Sequence, residues 1–144
     1  MTGEELVVRI ATRDDLELLG ALNEQLIVDE GASTPERGAA LVARMGRFLA
    51  EGYVAALVES GGEVVAYALW RPDGGAVHVR QFFVAREHRR AGVGRRAFAL
   101  LTERCWAGRP LTLDVLATNP RGIAFWRSIG FVDHMVAMRR PPGG

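Results

Sequence analysis

Apolar and polar positions along the chain predict a succession of strands and helices. Leu6 to Ala11 is a β-branched run. Thr12-Arg-Asp-Asp15 after it has the helix-start pattern in which the Thr12 hydroxyl and the Asp15 carboxylate cap opposite orphan donors. Leu16, Leu19, Leu22 and Leu26 recur at helical spacing, so a first helix with one apolar face follows, broken at Gly31 to Ser33. Thr34-Pro35 reads as the N-cap and first-turn proline of a second helix, whose stripe is Leu41, Val42, Met45, Phe48 and Leu49 and which ends near Gly52.

Tyr53 to Glu59 and Val64 to Arg71 are β-rich runs separated by Ser60-Gly-Gly-Glu63, the signal of a tight hairpin. A second turn, Pro72-Asp-Gly-Gly75, leads into a third strand of the same meander, Ala76 to Val84. After the charged stretch Ala85 to Arg90, a helix runs from about Gly92 to Trp106 with Ala97, Phe98, Leu101 and Cys105 on one side. Leu111 to Leu116 is a buried-type strand, Asn119-Pro120 opens a short helix that Gly130 ends, and Phe131 to Met138 is a final extended segment. The order is β, α, α, β, β, β, α, β, α, β: a mixed α/β domain over residues 1–138 with an antiparallel front half and a β-α-β second half. The tail from Arg139 to Gly144 is expected to fray.

Composition narrows the classes. A chain of 144 residues, 49% hydrophobic and 24% charged, fits one globular domain. A lone Cys105 forms no internal disulfide, and with three histidines nothing has zinc-ligand spacing, so neither a metal nor an oxidising compartment is expected. No apolar run approaches the roughly 18 residues of a membrane span, and the acidic opening lacks the features of a signal peptide. A soluble cytoplasmic protein without membrane partners is the expectation. All 18 basic residues are arginine and the net charge is +1, which disfavours a polycationic nucleic-acid binder and, without lysine, excludes a Walker phosphate loop.

The stretch that carries chemistry is Phe82 to Phe98: a strand, a charged turn, two glycines, then a helix. A helix N-terminus presents unpaired amides at the positive end of the dipole, and Gly92 and Gly94 let a bulky anion approach that backbone. Arg89, Arg90, Arg95 and Arg96 add charge around it. Gly92-Val-Gly94-Arg-Arg-Ala97 also fits a dinucleotide fingerprint, with Asp114 about 20 residues on. Topology argues against that reading, because Ala85 to Ala91 intervenes between strand and glycine and the strand belongs to a hairpin meander. The bland reading is a plain turn beside a solvated arginine face.

Arg89-Arg-Ala-Gly92-Val-Gly94 resembles the signature Q/R-x-x-G-x-G/A of the Gcn5-related N-acetyltransferase (GNAT) superfamily. Asn119-Pro-Arg-Gly122-Ile-Ala-Phe125-Trp126-Arg-Ser-Ile-Gly130-Phe131 resembles that family's second motif. The two stand in family order and spacing, and the element order matches over nearly the whole chain. The resemblance implies a GNAT-like fold: a mixed, mostly antiparallel sheet of six or seven strands, splayed between strands 4 and 5 and flanked by about four helices. It implies acetyl-CoA as cosubstrate, with the backbone of Phe83 and Val84 along the pantetheine arm and Arg89, Arg90, Ala91, Gly92, Val93, Gly94 and Arg95 around the pyrophosphate. Asn119, Phe125 and Trp126 would line the other side. Asn119 is equally an N-cap before Pro120, and Phe125 and Trp126 are equally core aromatics.

Acetyl transfer from a thioester to an amine needs a neutral amine, stabilisation of an oxyanion and a proton for the thiolate. By the resemblance, a backbone amide near Val84 serves the oxyanion. Asp114 holds a fifth-strand position where some members carry a catalytic glutamate, and His78 lies near a fourth-strand position where others do. A water chain starting at neither remains open. Trp126 stands where a proton-donating tyrosine is usual, which leaves Tyr53, Tyr67 or solvent. Cys105, on the apolar helix side, reads as core and not as a nucleophile, so direct transfer in a ternary complex is expected.

The acceptor is a small-molecule or peptide amine, and Asp29 and Glu30 are two acids able to attract a cationic one, or simply a solvated loop. The short C-terminus leaves a seventh strand to be made by splitting Phe131 to Met138 or supplied across a homodimer. The missing tyrosine keeps a second class open, a non-catalytic acyl-CoA-binding or regulatory module.

Overall fold

The computed structural model describes residues 5–31, 34–89 and 92–143. The chain divides into two compact units, residues 1–114 and 115–144.

The first unit contains strands β1 (Leu6–Ile10), β2 (Val54–Ser60), β3 (Glu63–Asp73), β4 (Ala76–Val84) and β5 (Leu111–Thr112) in one five-stranded sheet of order β1-β2-β3-β4-β5. The first four pair antiparallel and β5 runs parallel to β4. The β2–β3 hairpin turns at Gly61 and Gly62, with φ of 60° and 82°. Two successive positive φ values are what a two-residue loop needs to match strand twist, and glycine adopts them without steric cost. The capping box expected at Thr12 and Asp15 is present: the Thr12 amide donates to Asp15 Oδ2 at 2.8 Å and the Thr12 hydroxyl accepts from the Asp14 amide. It opens a 3-10 turn, Arg13–Asp15, that runs into helix α1, Leu16–Glu30.

Helix α2 spans Ala39–Ala50, so Thr34-Pro35 does not start it. The helix begins after Gly38, whose amide donates to Glu24 Oε1 at 2.9 Å; a side chain from α1 sets the start that local sequence placed earlier. The two helices approach closely: a Cβ on Gly20 would lie 2.7 Å from Val42 Cγ2. Leu19, Leu22, Met45 and Phe48 from these helices pack on Leu57, Tyr67, Leu69 and Phe83 of the sheet. Side chains of the opposite pleat meet helix α3, Val93–Cys105, and the residue after it. Phe82 packs edge-on against Phe98, and Trp70 against Trp106. One helical layer thus lies on each face of the sheet, and each buried side chain of this size contributes about 1.5–3 kcal/mol.

Inside the core, the fully buried Tyr67 hydroxyl accepts from Asn23 Nδ2 at 3.3 Å and donates to Gln81 Oε1 at 2.9 Å.

The six or seven strands expected are not found; five form among the described residues. Leu111 to Leu116 contributes only Leu111–Thr112, because pairing with β4 ends at Val77↔Leu111 and His78↔Thr112. Phe131 to Met138 forms no strand. A ladder requires a partner for each amide and carbonyl, and the second unit, whose only regular element is helix α4 (Pro120–Ser128) among the described residues, provides none. Val132, Met135, Val136 and Met138 are exposed instead.

Candidate functional site

The edge of β4 is where the sheet opens. β4 continues to Val84, six residues past its last pairing with β5 at His78. The Ala85 amide donates to Val65 O at 2.8 Å on the β3 side, so by strand alternation the main chain of Val84 faces the edge that β5 has left. A bulge lies along the same strand: Leu69 pairs with Gln81 and Trp70 with Val79, which makes Arg80 the extra residue.

At the point of divergence the two sequence-predicted candidates for the base come together. His78 Nδ1 lies 2.8 Å from Thr112 Oγ1, and His78 Nε2 lies 3.8 Å from Asp114 Oδ2. The His78 side chain is mostly buried, whereas that of Asp114 is 97% exposed. The close contact to Thr112 therefore fixes the ring, and Asp114 supplies negative charge from the solvent side. Thr112 was not among the candidates; its only signal in the sequence is a hydroxyl in the strand facing His78.

The second feature is the start of α3. Gly92 stands at the N-cap in the left-handed region at φ 70° and has no side chain to cap the first-turn amides. A Cβ on Gly92 would meet nothing within 4 Å, so backbone conformation and not crowding calls for glycine. Val93, Gly94 and Arg95 form the first turn. Arg89 is held beside it: its Nε donates to Val84 O at 2.9 Å, its guanidinium pairs with Asp29 and it lies 4.6 Å from the Phe83 ring centroid. Arg90 and Ala91 lie outside the described residues.

Arg86 also pairs with Asp29, at 2.9 Å. Burial works to raise the Asp29 carboxyl, and the hydrogen bonds from Arg86 and Arg89 outweigh it, holding it below the usual carboxylate range. Asp29 thus anchors the arginine loop to α1 through two guanidiniums. Glu30 ends α1, and desolvation raises its carboxyl pKa.

A helix start next to an opened parallel strand pair fits the anion cradle read from the sequence. Residues 21–131 match the acetyltransferase (GNAT) family. The chain belongs to the GNAT acetyltransferase family. Among solved structures, a possible acetyltransferase from Clostridium difficile 630 is similar at a TM-score of 0.77 and 17% identity, covering 96% of this chain and 97% of that one. The aminoglycoside N-acetyltransferase AAC(6')-Iy in complex with CoA gives 0.70 and 18%, covering 98% and 97%. A predicted acetyltransferase from Clostridium acetobutylicum with acetyl-CoA gives 0.70 and 16%, covering 95% and 96%. No match is found among the curated proteins. Acetyl-CoA is the cosubstrate of GNAT enzymes.

In this GNAT chain the second-motif residues form a local structure of their own. Asn119 Oδ1 accepts from the Gly122 amide at 3.0 Å, so its N-cap role is realised. Phe125, Trp126 and Phe131 stack edge to face, with centroids 4.9 and 5.4 Å apart along the series. Of the substitute proton donors, Tyr67 is enclosed in the core, where burial pushes its hydroxyl well above the ordinary value. The Tyr53 hydroxyl accepts from Arg80 at 3.3 Å. Burial also raises the Cys105 thiol, which disfavours the thiolate a nucleophile needs. No described helix is long and apolar enough to cross a membrane.

Proposed function

We propose that this GNAT domain transfers the acetyl group of acetyl-CoA to a primary amine by direct attack in a ternary complex. The observation that carries the reading is His78, fixed by Thr112 and flanked by Asp114 at the pair where β4 and β5 part. The diphosphate sits on the first-turn amides of α3, and the pantetheine follows the β4 edge at Val84; the Phe83 main chain, expected to pair with it as well, turns to β3 by the same alternation as Ala85. A thioester extended along that edge from the helix start runs toward His78.

The tautomer with Nδ1–H donating to Thr112 Oγ1 leaves the Nε2 lone pair free. As the amine nitrogen attacks the thioester carbonyl, its proton passes to Nε2, and Asp114 stabilises the imidazolium that results. The carbonyl π pair moves to oxygen and is stabilised by an edge-facing main-chain amide of β4 beside His78, since Val84 lies six residues, roughly 20 Å, farther along the strand. The C–S bond then breaks, the amide product forms, and the CoA thiolate takes its proton from solvent. The lack of a tyrosine at Trp126 is compatible with this scheme, since thiols are acidic enough to leave as thiolate.

The reading is tested by following free thiol released from acetyl-CoA in the presence of a panel of primary amines. Amine-dependent release supports it. Tight acetyl-CoA binding with no release for any amine would instead mark an acyl-CoA-binding module.

A further inference from the structure

Some arginines of this chain pair with a carboxylate, and of those that make no ion pair among the described residues three gather at one place. Arg9, Arg47, Arg86, Arg89 and Arg127 each lie within ion-pair distance of an acid. Arg44, Arg71 and Arg80 make no ion pair among the described residues, yet all three converge on one aromatic pair, Phe48 and Tyr53, whose centroids are 5.1 Å apart. Arg44 lies 5.2 Å and Arg80 4.7 Å from the Phe48 centroid; Arg71 lies 5.5 Å and Arg80 5.7 Å from that of Tyr53. Ring faces offset part of the repulsion between the guanidiniums, and Arg80 Nη1 donates to the Tyr53 hydroxyl at 3.3 Å, but no carboxylate of the described residues meets their N–H forks.

The position of this cluster is set by the sheet. Arg71 is the direct cross-strand partner of His78, so their side chains share a face as neighbours. Arg80 is the extra residue of the bulge, the device that re-aims a side chain next to a site. Asp29, one of the two acids considered for attracting a cation, is paired with Arg86 and Arg89.

We infer that the acceptor amine carries an anionic group, a carboxylate or a phosphate, which Arg71 and Arg80 hold while the amine is presented to His78. The inference rests on the acetyl-transfer reading and adds its substrate class. Planar guanidiniums bind either oxyanion through paired N–H donors, and a polycationic acceptor would meet repulsion from the same groups.

The test compares matched acceptors at saturating acetyl-CoA: an amino acid against its amide, O-phosphoethanolamine against ethanolamine, and spermidine as a polycation. The expected result is a kcat/KM about 10-fold to 100-fold higher for the anionic member of at least one pair, the pair identifying the oxyanion. In Arg71→Gln/Arg80→Gln this preference falls to within about 2-fold while acetyl-CoA affinity is retained. Equal or better use of the neutral twin or spermidine overturns the inference, as does a preference that survives in the variant. If no amine releases thiol, the acetyl-transfer reading fails by itself. The anion site is then judged from the Arg71 and Arg80 Nε–Hε NMR signals, titrated with the same compounds in saturating CoA. Shifts confined to the anionic members uphold the site, and their absence overturns it.

Discussion

His78 and Thr112 are the last matched pair between β4 and β5, and their side chains meet at 2.8 Å through Nδ1 and Oγ1. The sheet thus opens at the residue pair that fixes the imidazole, so the ring is oriented by the same pairing whose end creates the cleft.

Thr112 acts through His78 and is a positioning residue. Thr112→Val keeps the shape of the strand and removes the oxygen. It is expected to lower kcat about 3-fold to 10-fold, the equivalent of one hydrogen bond, with acetyl-CoA affinity unchanged. Thr112→Ser should restore most of the rate. Equal rates for the valine variant and the parent, measured by thiol release, would remove Thr112 from the account.

Gly92→Ala places a Cβ where φ is 70°, a backbone conformation that L-residues adopt at a cost of about 1–2 kcal/mol. The loop is expected to relax away from the cradle geometry and weaken acetyl-CoA binding about 10-fold by calorimetry, since 1.4 kcal/mol is tenfold in affinity. An unchanged affinity would show that the helix start does not hold the diphosphate.

Much of the scaffold that carries these residues was legible in the sequence. The β2 to β4 meander follows from β-rich runs with glycine turns between them, α3 from apolar spacing after Gly92, and α4 from Asn119-Pro120 at its start and Gly130 at its end. Features set by distant partners were not legible. Leu111 to Leu116 has strand composition throughout, but only two of its residues find a partner on β4. The start of α2 depends on Glu24, a residue of another helix. Asp29 looked like a loop acid because Arg86 lies 57 residues away along the chain. His78 and Asp114 were separate candidates in the sequence, and only the parallel pairing of β4 with β5 makes them neighbours.

Tyr67→Phe deletes the hydroxyl that joins Asn23 to Gln81 in the core. Two buried amide side chains then lose a partner, and the expected cost is about 1–3 kcal/mol. A urea unfolding midpoint equal to that of the parent would show that the network contributes nothing net.

The Asp15 carboxyl is held below the usual aspartate range by its hydrogen bond from Arg9, with the Thr12 amide adding to the effect. A carboxyl with a depressed folded pKa binds fewer protons than the unfolded chain. Its contribution is complete above the ordinary aspartate value of about 4 and is lost as pH falls through the lower folded value. Urea midpoints taken below about pH 4 should therefore fall less steeply in Asp15→Asn than in the parent. Parallel curves would contradict this.

The most direct test of the account is the rate of acetyl-CoA-dependent thiol release by His78→Ala with the best amine of the panel. Loss of a general base predicts a kcat lower by about 100-fold or more, with acetyl-CoA affinity within about 2-fold of the parent. A variant that turns over at the parental rate would contradict the placement of the reacting amine at the β4–β5 opening.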